Sequence, residues 1–114
     1  MVMNTVFLKF NKFGTNLGTR QLGAQAREEL VSLLNTSNKV ILDFEGVNVV
    51  SNSFADECLG KLLLSMNLEE LKSVTTFHGL NDFARHNIAV ALRRRLKSLS
   101  SQISHDTPSF QWQH

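Results

Sequence analysis

The chain has almost none of the residues that cross-link, interrupt or anchor a fold. Its 114 residues include one cysteine, one proline, one tryptophan and no tyrosine. The single cysteine, Cys58, excludes an internal disulfide framework and a four-cysteine zinc site. No apolar run approaches the roughly 20 residues that a membrane span requires, and residues 1–4 have neither the basic flank nor the apolar core of a secretory signal. The sequence therefore predicts a cytoplasmic protein without a membrane segment.

The motifs of nucleotide-binding and hydrolytic enzymes are absent as well. The chain contains neither the Walker nor the Rossmann glycine pattern, and it has no Gly-x-Ser-x-Gly nucleophile turn. Cys58 lies in a helical apolar pattern between Phe54 and Leu62, which predicts a buried, inert thiol. No metal-ligand spacing connects the four histidines, which are His78, His86, His105 and His114. The sequence predicts no catalytic residue, no metal and no cofactor.

The charges are nearly balanced overall but unevenly distributed. Twelve Lys and Arg face ten Asp and Glu, for a net charge of +2. Positive charge is concentrated in the last predicted helix at Arg93, Arg94, Arg95 and Lys97, and acidic residues lie around the second at Asp56, Glu57, Glu69 and Glu70. Three adjacent residues span about 200° of a helix, so the arginines do not form one flat patch. This polarity can orient a partner, and nucleic-acid binding is the minority alternative.

Hydrophobic periodicity predicts alternating strands and helices. Strands are predicted at residues 5–10, 39–43, 47–50 and 73–78. Helices are predicted from Thr19 to about residue 36, from Ser53 through Met66, and from Asn81 and Asp82 onward. This order predicts an α/β fold, with a single layer of mixed β-sheet of about four strands packed by about three helices. Residues 1–99 form the predicted domain, and residues 100–114 form an irregular tail that docks through Phe110 or Trp112 or stays mobile.

The most informative segment is residues 40–57. An apolar strand breaks at Gly46, resumes over residues 47–50 and reaches the polar residues Ser51, Asn52 and Ser53, which open an amphipathic helix. Helix N-termini favour acceptors and anions. Ser53, with Asp56 three residues later, is predicted as the helix cap. The alternative is that Ser53 accepts a phosphoryl group or donates to a ligand.

These residues carry a family resemblance. Leu42, Asp43, Gly46 and Val47, followed by the Ser-Asn-Ser turn, resemble the fold of sulfate-transporter and anti-sigma-factor-antagonist (STAS) domains. Phe54, Ala55, Asp56 and Glu57, together with residues 13–20, are more similar to a STAS-like domain family of unknown function. The resemblance covers residues 7–99. Asn52 aligns with the serine that is phosphorylated in the antagonists, so a phosphoswitch here would have to use Ser51 or Ser53.

Two further groups are candidates for the same edge. Asp43 ends the central strand and is expected to accept hydrogen bonds from loop N–H groups. Gly14, Gly18, Thr19 and Arg20 form a loop that opens the first helix, where Arg20 either clamps an anion or bonds a nearby carbonyl. In the antagonists, acidic residues around the turn help to recognise the kinase partner, which by resemblance suggests roles for Asp56 and Glu57.

The sequence thus predicts a non-catalytic signalling module that binds a protein partner through residues 51–57. By resemblance the partner is a histidine-kinase-like ATPase, and a homo-oligomer is also possible. The first alternative is a small-ligand, nucleotide or anion sensor that uses the same helix N-terminus. The second is a nucleic-acid accessory protein that uses the basic last helix.

Overall fold

The computed structural model describes residues 4–100, which form five short strands, four α-helices and two 3-10 turns. The strands are β1 (Thr5–Lys9), β2 (Asn16–Leu17), β3 (Lys39–Asp43), β4 (Val49–Val50) and β5 (Thr75–His78). The helices are α1 (Arg20–Thr36), α2 (Asn52–Cys58), α3 (Leu68–Val74) and α4 (Asp82–Ser100). The predicted α/β class is confirmed.

Three of the strands form one parallel sheet in the order β1-β3-β5. Leu8, Leu42 and Phe77 lie side by side across it and are buried against the helices, whereas Phe7 on the opposite face is 55% exposed. Helices join these strands in sequence, and such crossovers bring successive strands into parallel alignment. In residues 4–100 the pairing is therefore parallel, which differs from the mixed sheet expected from the sequence.

The other two strands, β2 and β4, form a separate parallel pair. Each is two residues long, and Leu17 lies opposite Val50. Sequence analysis placed the β2 residues in a loop on the basis of Gly14, Asn16 and Gly18, and a two-residue strand is too short to show an alternating pattern. The fold therefore has two small sheets instead of the expected single layer of about four strands.

Helix α1 agrees with its predicted start and end. Thr19 caps it by accepting a hydrogen bond from Leu22 N at 3.1 Å. Ala26 and Leu30 are fully buried on its inner face, as the apolar stripe predicted.

The predicted second helix is divided into three elements, and this raises the number of helices from about three to four. Helix α2 ends at Cys58, the chain tightens into a 3-10 turn over Gly60–Leu64, and α3 begins after Asn67. Asn67 and Glu70 form a capping box that starts α3. A cap within an otherwise helical sequence starts a new helix because it satisfies the first free N–H groups. The apolar stripe continued across these breaks, so periodicity did not indicate them.

Helix α4 is fixed at its start by Asn81. Its Oδ1 accepts a hydrogen bond from Ala84 N at 2.8 Å, as predicted, and its Nδ2 donates to Asn48 O at 3.0 Å. The helix reaches Ser100, and the predicted tail beyond it, with Phe110 and Trp112, lies outside the described residues. No helix within residues 4–100 has the length and hydropathy needed to cross a bilayer.

Candidate functional site

The small β2–β4 pair places two helix starts side by side. Ser51 N donates to Leu17 O at 3.0 Å, which joins the residue after β4 to the last residue of β2. Thr19 then caps α1, and Ser51 caps α2 by accepting from Phe54 N at 3.0 Å. The predicted proximity of the Gly14–Arg20 loop to the Ser-Asn-Ser turn is therefore present at Leu17 and Ser51, and Arg20 is the first residue of α1.

The predicted helix cap at Ser53 is wrong, because Ser51 occupies that role. Helix α2 begins one residue earlier than expected, and the Ser51 hydroxyl bonds Phe54 N, the third amide of the helix. Ser53 lies exposed within the first turn. Asp56 takes no part in a capping box because its carboxylate points to two arginines, as described below.

A glycine allows α1 and α2 to approach each other closely. A Cβ atom at Gly23 would lie 2.8 Å from Cβ of Glu57 and 2.8 Å from the carbonyl oxygen of Phe54. Contacts of this length do not occur between real Cβ atoms and backbone. Because Gly23 has no Cβ atom, the start of α1 can lie against the end of α2.

Glu57 is buried at this contact and is surrounded by cations. Its carboxylate is bonded by Arg27 at 3.0 Å, Lys61 at 3.1 Å and Arg20 at 3.2 Å. Arg27 also donates to the main-chain carbonyl of Glu57. The Arg27 hydrogen bond, with those of Lys61 and Arg20, outweighs burial and lowers the pKa of Glu57 from 4.5 to about 2. Glu57 is thus an internal ion-pair centre, and sequence analysis had expected it at a recognition surface.

Asp56 joins α2 to the last helix through a two-pronged contact. Arg95 Nε donates to Oδ1 at 3.0 Å and Arg95 Nη2 donates to Oδ2 at 2.6 Å. Arg20 Nη1 donates to the same Oδ2 at 2.9 Å. Burial raises the pKa of Asp56, but the hydrogen bonds from Arg95 and Arg20 overcome this and lower it. The same contact with Asp56, followed by that with Glu57, raises the pKa of Arg20.

A pocket of about 300 Å³ lies between α2, α4 and the start of α1. We call it the arginine pocket, since its walls include Arg20, Arg94 and Arg95 together with Asn52, Ser53 and Asp56. Arg94 is exposed, and within residues 4–100 it makes no hydrogen bond or ion pair. The pocket therefore combines two arginines held by a carboxylate with a third that is free to bond a ligand.

Asn52, which aligns with the phosphorylated serine of the antagonists, lies in the wall of this pocket. It is the first residue of α2. Its Oδ1 is inaccessible to solvent and has no hydrogen-bond partner. A buried acceptor without a donor costs free energy, on the order of 1–3 kcal/mol.

Asp43 belongs to a different cluster. Its Oδ1 accepts from Glu45 N at 3.0 Å, which confirms the predicted bond to a loop N–H group. Asp43, Glu45 and His78 bring their ligand atoms within 4.8 Å of one another, and in the described part of the chain this is the group that could ligate a metal ion. The side chains of Glu45 and His78 are 74% and 59% exposed. Sequence analysis missed this grouping because the parallel register of β3 and β5, which sets Asp43 opposite His78, creates it.

The two loop glycines do not line the pocket. Gly14 has a φ of 124° and closes the 3-10 turn Phe10–Phe13, where its N–H donates to Asn11 O. A Cβ atom at Gly18 would have no neighbour within 4 Å. Of the predicted loop candidates, Arg20 contributes to the pocket directly and Thr19 positions it by capping α1.

Sequence analysis missed several residues that build this site. Arg27 and Lys61 complete the Glu57 cluster, and Gly60 packs behind Asp56, where a Cβ would lie 2.5 Å from Oδ1. Part of the expected polarity between an acidic second helix and a basic last helix is internal, because Arg95 pairs with Asp56. The i, i+4 spacing of Glu57 and Lys61 was a local signal. For Arg95 and Asp56, 39 residues apart, no such signal exists.

The model of a STAS-like domain of unknown function (DUF4325) matches residues 23–83. The match covers more than half of the chain. The chain therefore belongs to this family and has its STAS-like fold. No curated protein and no solved structure shows significant similarity. The matched segment contains α2 and the Ser-Asn-Ser turn, whereas Arg20, Arg94 and Arg95 lie outside it.

Proposed function

We propose that the protein is a non-catalytic regulatory module that binds a protein partner through the surface around the start of α2. The surface consists of Asn52 and Ser53 with the neighbouring Arg20 and Arg94. The observation that supports this most directly is that three arginines and the exposed Ser53 share one pocket at this position. The proposed partner class is a histidine-kinase-like ATPase, as the STAS resemblance suggests.

The chemistry of the contact differs from the acidic surface expected in the antagonists. Asp56 and Glu57 are largely buried, with side chains 17% and 9% exposed, and arginines and a lysine bind both carboxylates. Their charge is therefore mostly neutralised before a partner arrives. The groups that remain available are the guanidinium of Arg94 and the hydroxyl of Ser53. We therefore propose that the partner presents an acidic group to this surface.

Asn52 is the residue that best reports on this contact. An aspartate at position 52 places a carboxylate in the first turn of α2, which the helix dipole tolerates, and beside the pocket arginines. The fold should survive, because the first turn of α2 and the pocket arginines both favour a carboxylate at this position. Partner affinity should fall, because the new carboxylate competes with the partner for the arginines.

The test is to identify a partner by capture from the source cell, and then to measure affinity with both purified proteins. Asn52→Asp should weaken binding, whereas Asn52→Ser should not. Asn35→Asp is a matched control, since it adds the same charge near the C-terminal end of α1. Along the helix, Asn35 lies about 20 Å from the pocket residue Arg20 at 1.5 Å per residue. If all three variants bind as wild type does, this surface is not the interface.

A non-catalytic role is part of the proposal. Cys58 is buried, and that burial raises the pKa of its thiol to about 12, so the one cysteine of the chain is a poor nucleophile in the folded protein. Hydrolysis of ATP or a phosphoester by the pure protein, abolished by a change at Ser53 or Asp43, would contradict it.

A further inference from the structure

The arginine pocket has the charge of a site for a doubly charged anion. Its walls carry three guanidinium groups, from Arg20, Arg94 and Arg95, and one carboxylate, from Asp56. Three positive charges and one negative charge leave a local charge of +2. The guanidinium groups carry like charges, and an anion bound among them would relieve their repulsion.

We propose that this pocket binds the phosphate group of a small phosphate monoester. A monoester carries between −1.5 and −2 charges near neutral pH and has three acceptor oxygens, which matches a wall of charge +2. Guanidinium groups bind phosphate in a two-pronged geometry, and the third oxygen of a phosphate, which a carboxylate lacks, can accept from a further arginine. The Ser53 hydroxyl, exposed at the pocket wall, adds a neutral donor.

Asp56 supports this site because its oxygens already bind arginines. Oδ1 accepts from Arg95, and Oδ2 accepts from both Arg95 and Arg20. The carboxylate therefore fixes two guanidinium groups and presents little free charge to a ligand. In these contacts Arg20 uses only Nη1, and Arg95 uses Nε and Nη2, so each retains further N–H donors. Fixing donors in advance lowers the entropy lost when a ligand binds.

The size of the pocket restricts the ligand. A volume of about 300 Å³ is at the lower end of the range for small-molecule sites. It accommodates a phosphate group with a small organic body, and it is too small to enclose a dinucleotide. The ligand is therefore a free phosphorylated small molecule, or a phosphorylated side chain of similar size.

This inference rests on the proposed function in one respect, since the pocket shares Asn52 and Ser53 with the proposed partner surface. A phosphate in the pocket would bind the guanidinium group of Arg94, which is the cation that remains unpaired there. Bound ligand would then compete with an acidic group of the partner. The site would thereby link a phosphorylated ligand to partner affinity.

Isothermal titration calorimetry of the purified full chain tests the site with three probes: inorganic phosphate, O-phosphoserine and adenosine monophosphate. At low salt we expect saturable binding of at least one probe with a dissociation constant of about 1 mM or lower. Preference for phosphoserine would identify a phosphorylated side chain as the source, and preference for the nucleotide or for phosphate would identify a free small molecule.

Variants at adjacent arginines separate the site from general charge effects. Arg94→Gln should weaken binding by at least about tenfold, because it removes a charge-assisted contact. Arg93→Gln is the control, since it removes the same charge from the neighbouring residue, which does not line the pocket. Arg94→Gln should melt as wild type does, because Arg94 is exposed. Equal binding by wild type and Arg94→Gln, or no saturable binding of any probe up to about 10 mM, would overturn the inference.

The two proposals can fail separately. If the probes do not bind but Asn52→Asp still lowers the affinity for the partner, the phosphate site is wrong and the proposed partner surface is supported. If the probes bind and partner affinity is insensitive to Asn52→Asp, the pocket is a ligand site and the interface lies elsewhere.

Discussion

Arg95 in α4 binds Asp56 in α2 through two parallel hydrogen bonds, at 3.0 Å from Nε and 2.6 Å from Nη2. Both side chains are mostly buried, with 21% and 17% of their surface exposed. The pair joins the last helix to the short helix that carries the candidate site. It also orients one guanidinium of the arginine pocket, so stability and site geometry depend on the same contact.

Replacing Arg95 should therefore destabilise the fold. Arg95→Met keeps much of the aliphatic stem but leaves Asp56 with Arg20 as its remaining cation, so we expect a loss of about 1–3 kcal/mol in the free energy of unfolding. Urea denaturation measures this loss. Arg94→Met is the matched control, and it should change stability by less than about 0.5 kcal/mol. Equal effects of the two changes would show that the Asp56 contact contributes nothing.

Gly23 is expected to tolerate no side chain. Alanine is ordinarily favoured over glycine within a helix by about 1 kcal/mol. At position 23 its Cβ would lie 2.8 Å from both Glu57 Cβ and Phe54 O, and the second of these is backbone that cannot rotate away. Gly23→Ala should therefore lower stability by about 1–3 kcal/mol in spite of its helix propensity. Gly18→Ala, which meets no neighbour within 4 Å, serves as the comparison in thermal denaturation.

Acid should weaken the fold through Glu57. Its folded-state pKa of about 2 lies below the ordinary value of 4.5. A group with a depressed pKa stabilises the fold fully above its unfolded pKa, and this contribution is lost as pH falls from about 4.5 towards 2. The loss should be up to about 3 kcal/mol. Urea denaturation at pH 6 and at pH 3 gives the free energy of unfolding of wild type and of Glu57→Gln. The difference between the two proteins should be smaller at pH 3. A difference that stays constant would contradict the depressed pKa.

Cys58 should be unreactive while the protein is folded. The side chain is fully buried, and burial raises the pKa of its thiol to about 12. Since the thiolate is the reactive form, very little is available near pH 8. Labelling by a thiol reagent should proceed in guanidinium chloride and be suppressed in native buffer. Rapid labelling of the native protein would indicate that α2 opens locally.

Leu62 provides a test of the core behind the site. It lies in the 3-10 turn Gly60–Leu64 and is 4% exposed. Leu62→Ala should reduce the free energy of unfolding by about 2–5 kcal/mol, because it removes buried methyl groups and leaves a cavity. Leu64→Ala is a control two residues away, at a side chain 60% exposed, and should have little effect. A loss below about half a kcal/mol at Leu62 would mean that its face is not part of the core.

Much of the fold follows from local sequence signals. The alternation in β1, the apolar run of β3 and the stripe of α1 predicted the main elements, because a buried face imposes its period on the residues that form it. Asn81 was predicted as a cap from its own side-chain chemistry, and Asn81 Oδ1 bonds Ala84 N as expected. Cys58 was likewise predicted to be buried from its neighbours Phe54 and Leu62. These features involve residues within about one or two helical turns of each other.

The site was decided by the tertiary structure. The sequence brought Ser51, Asn52 and Ser53 to a helix start, but it could not assign the acidic residues that follow. Glu57 became buried because Gly23 permits close helix contact, and Asp56 turned towards Arg95, which is 39 residues away. Charges carry no periodic signal of their partners, because an ion pair requires only that two side chains meet in space. Local sequence signals determined where α1 and α4 begin, and packing of α1, α2 and α4 determined which charges are neutralised and which face the pocket.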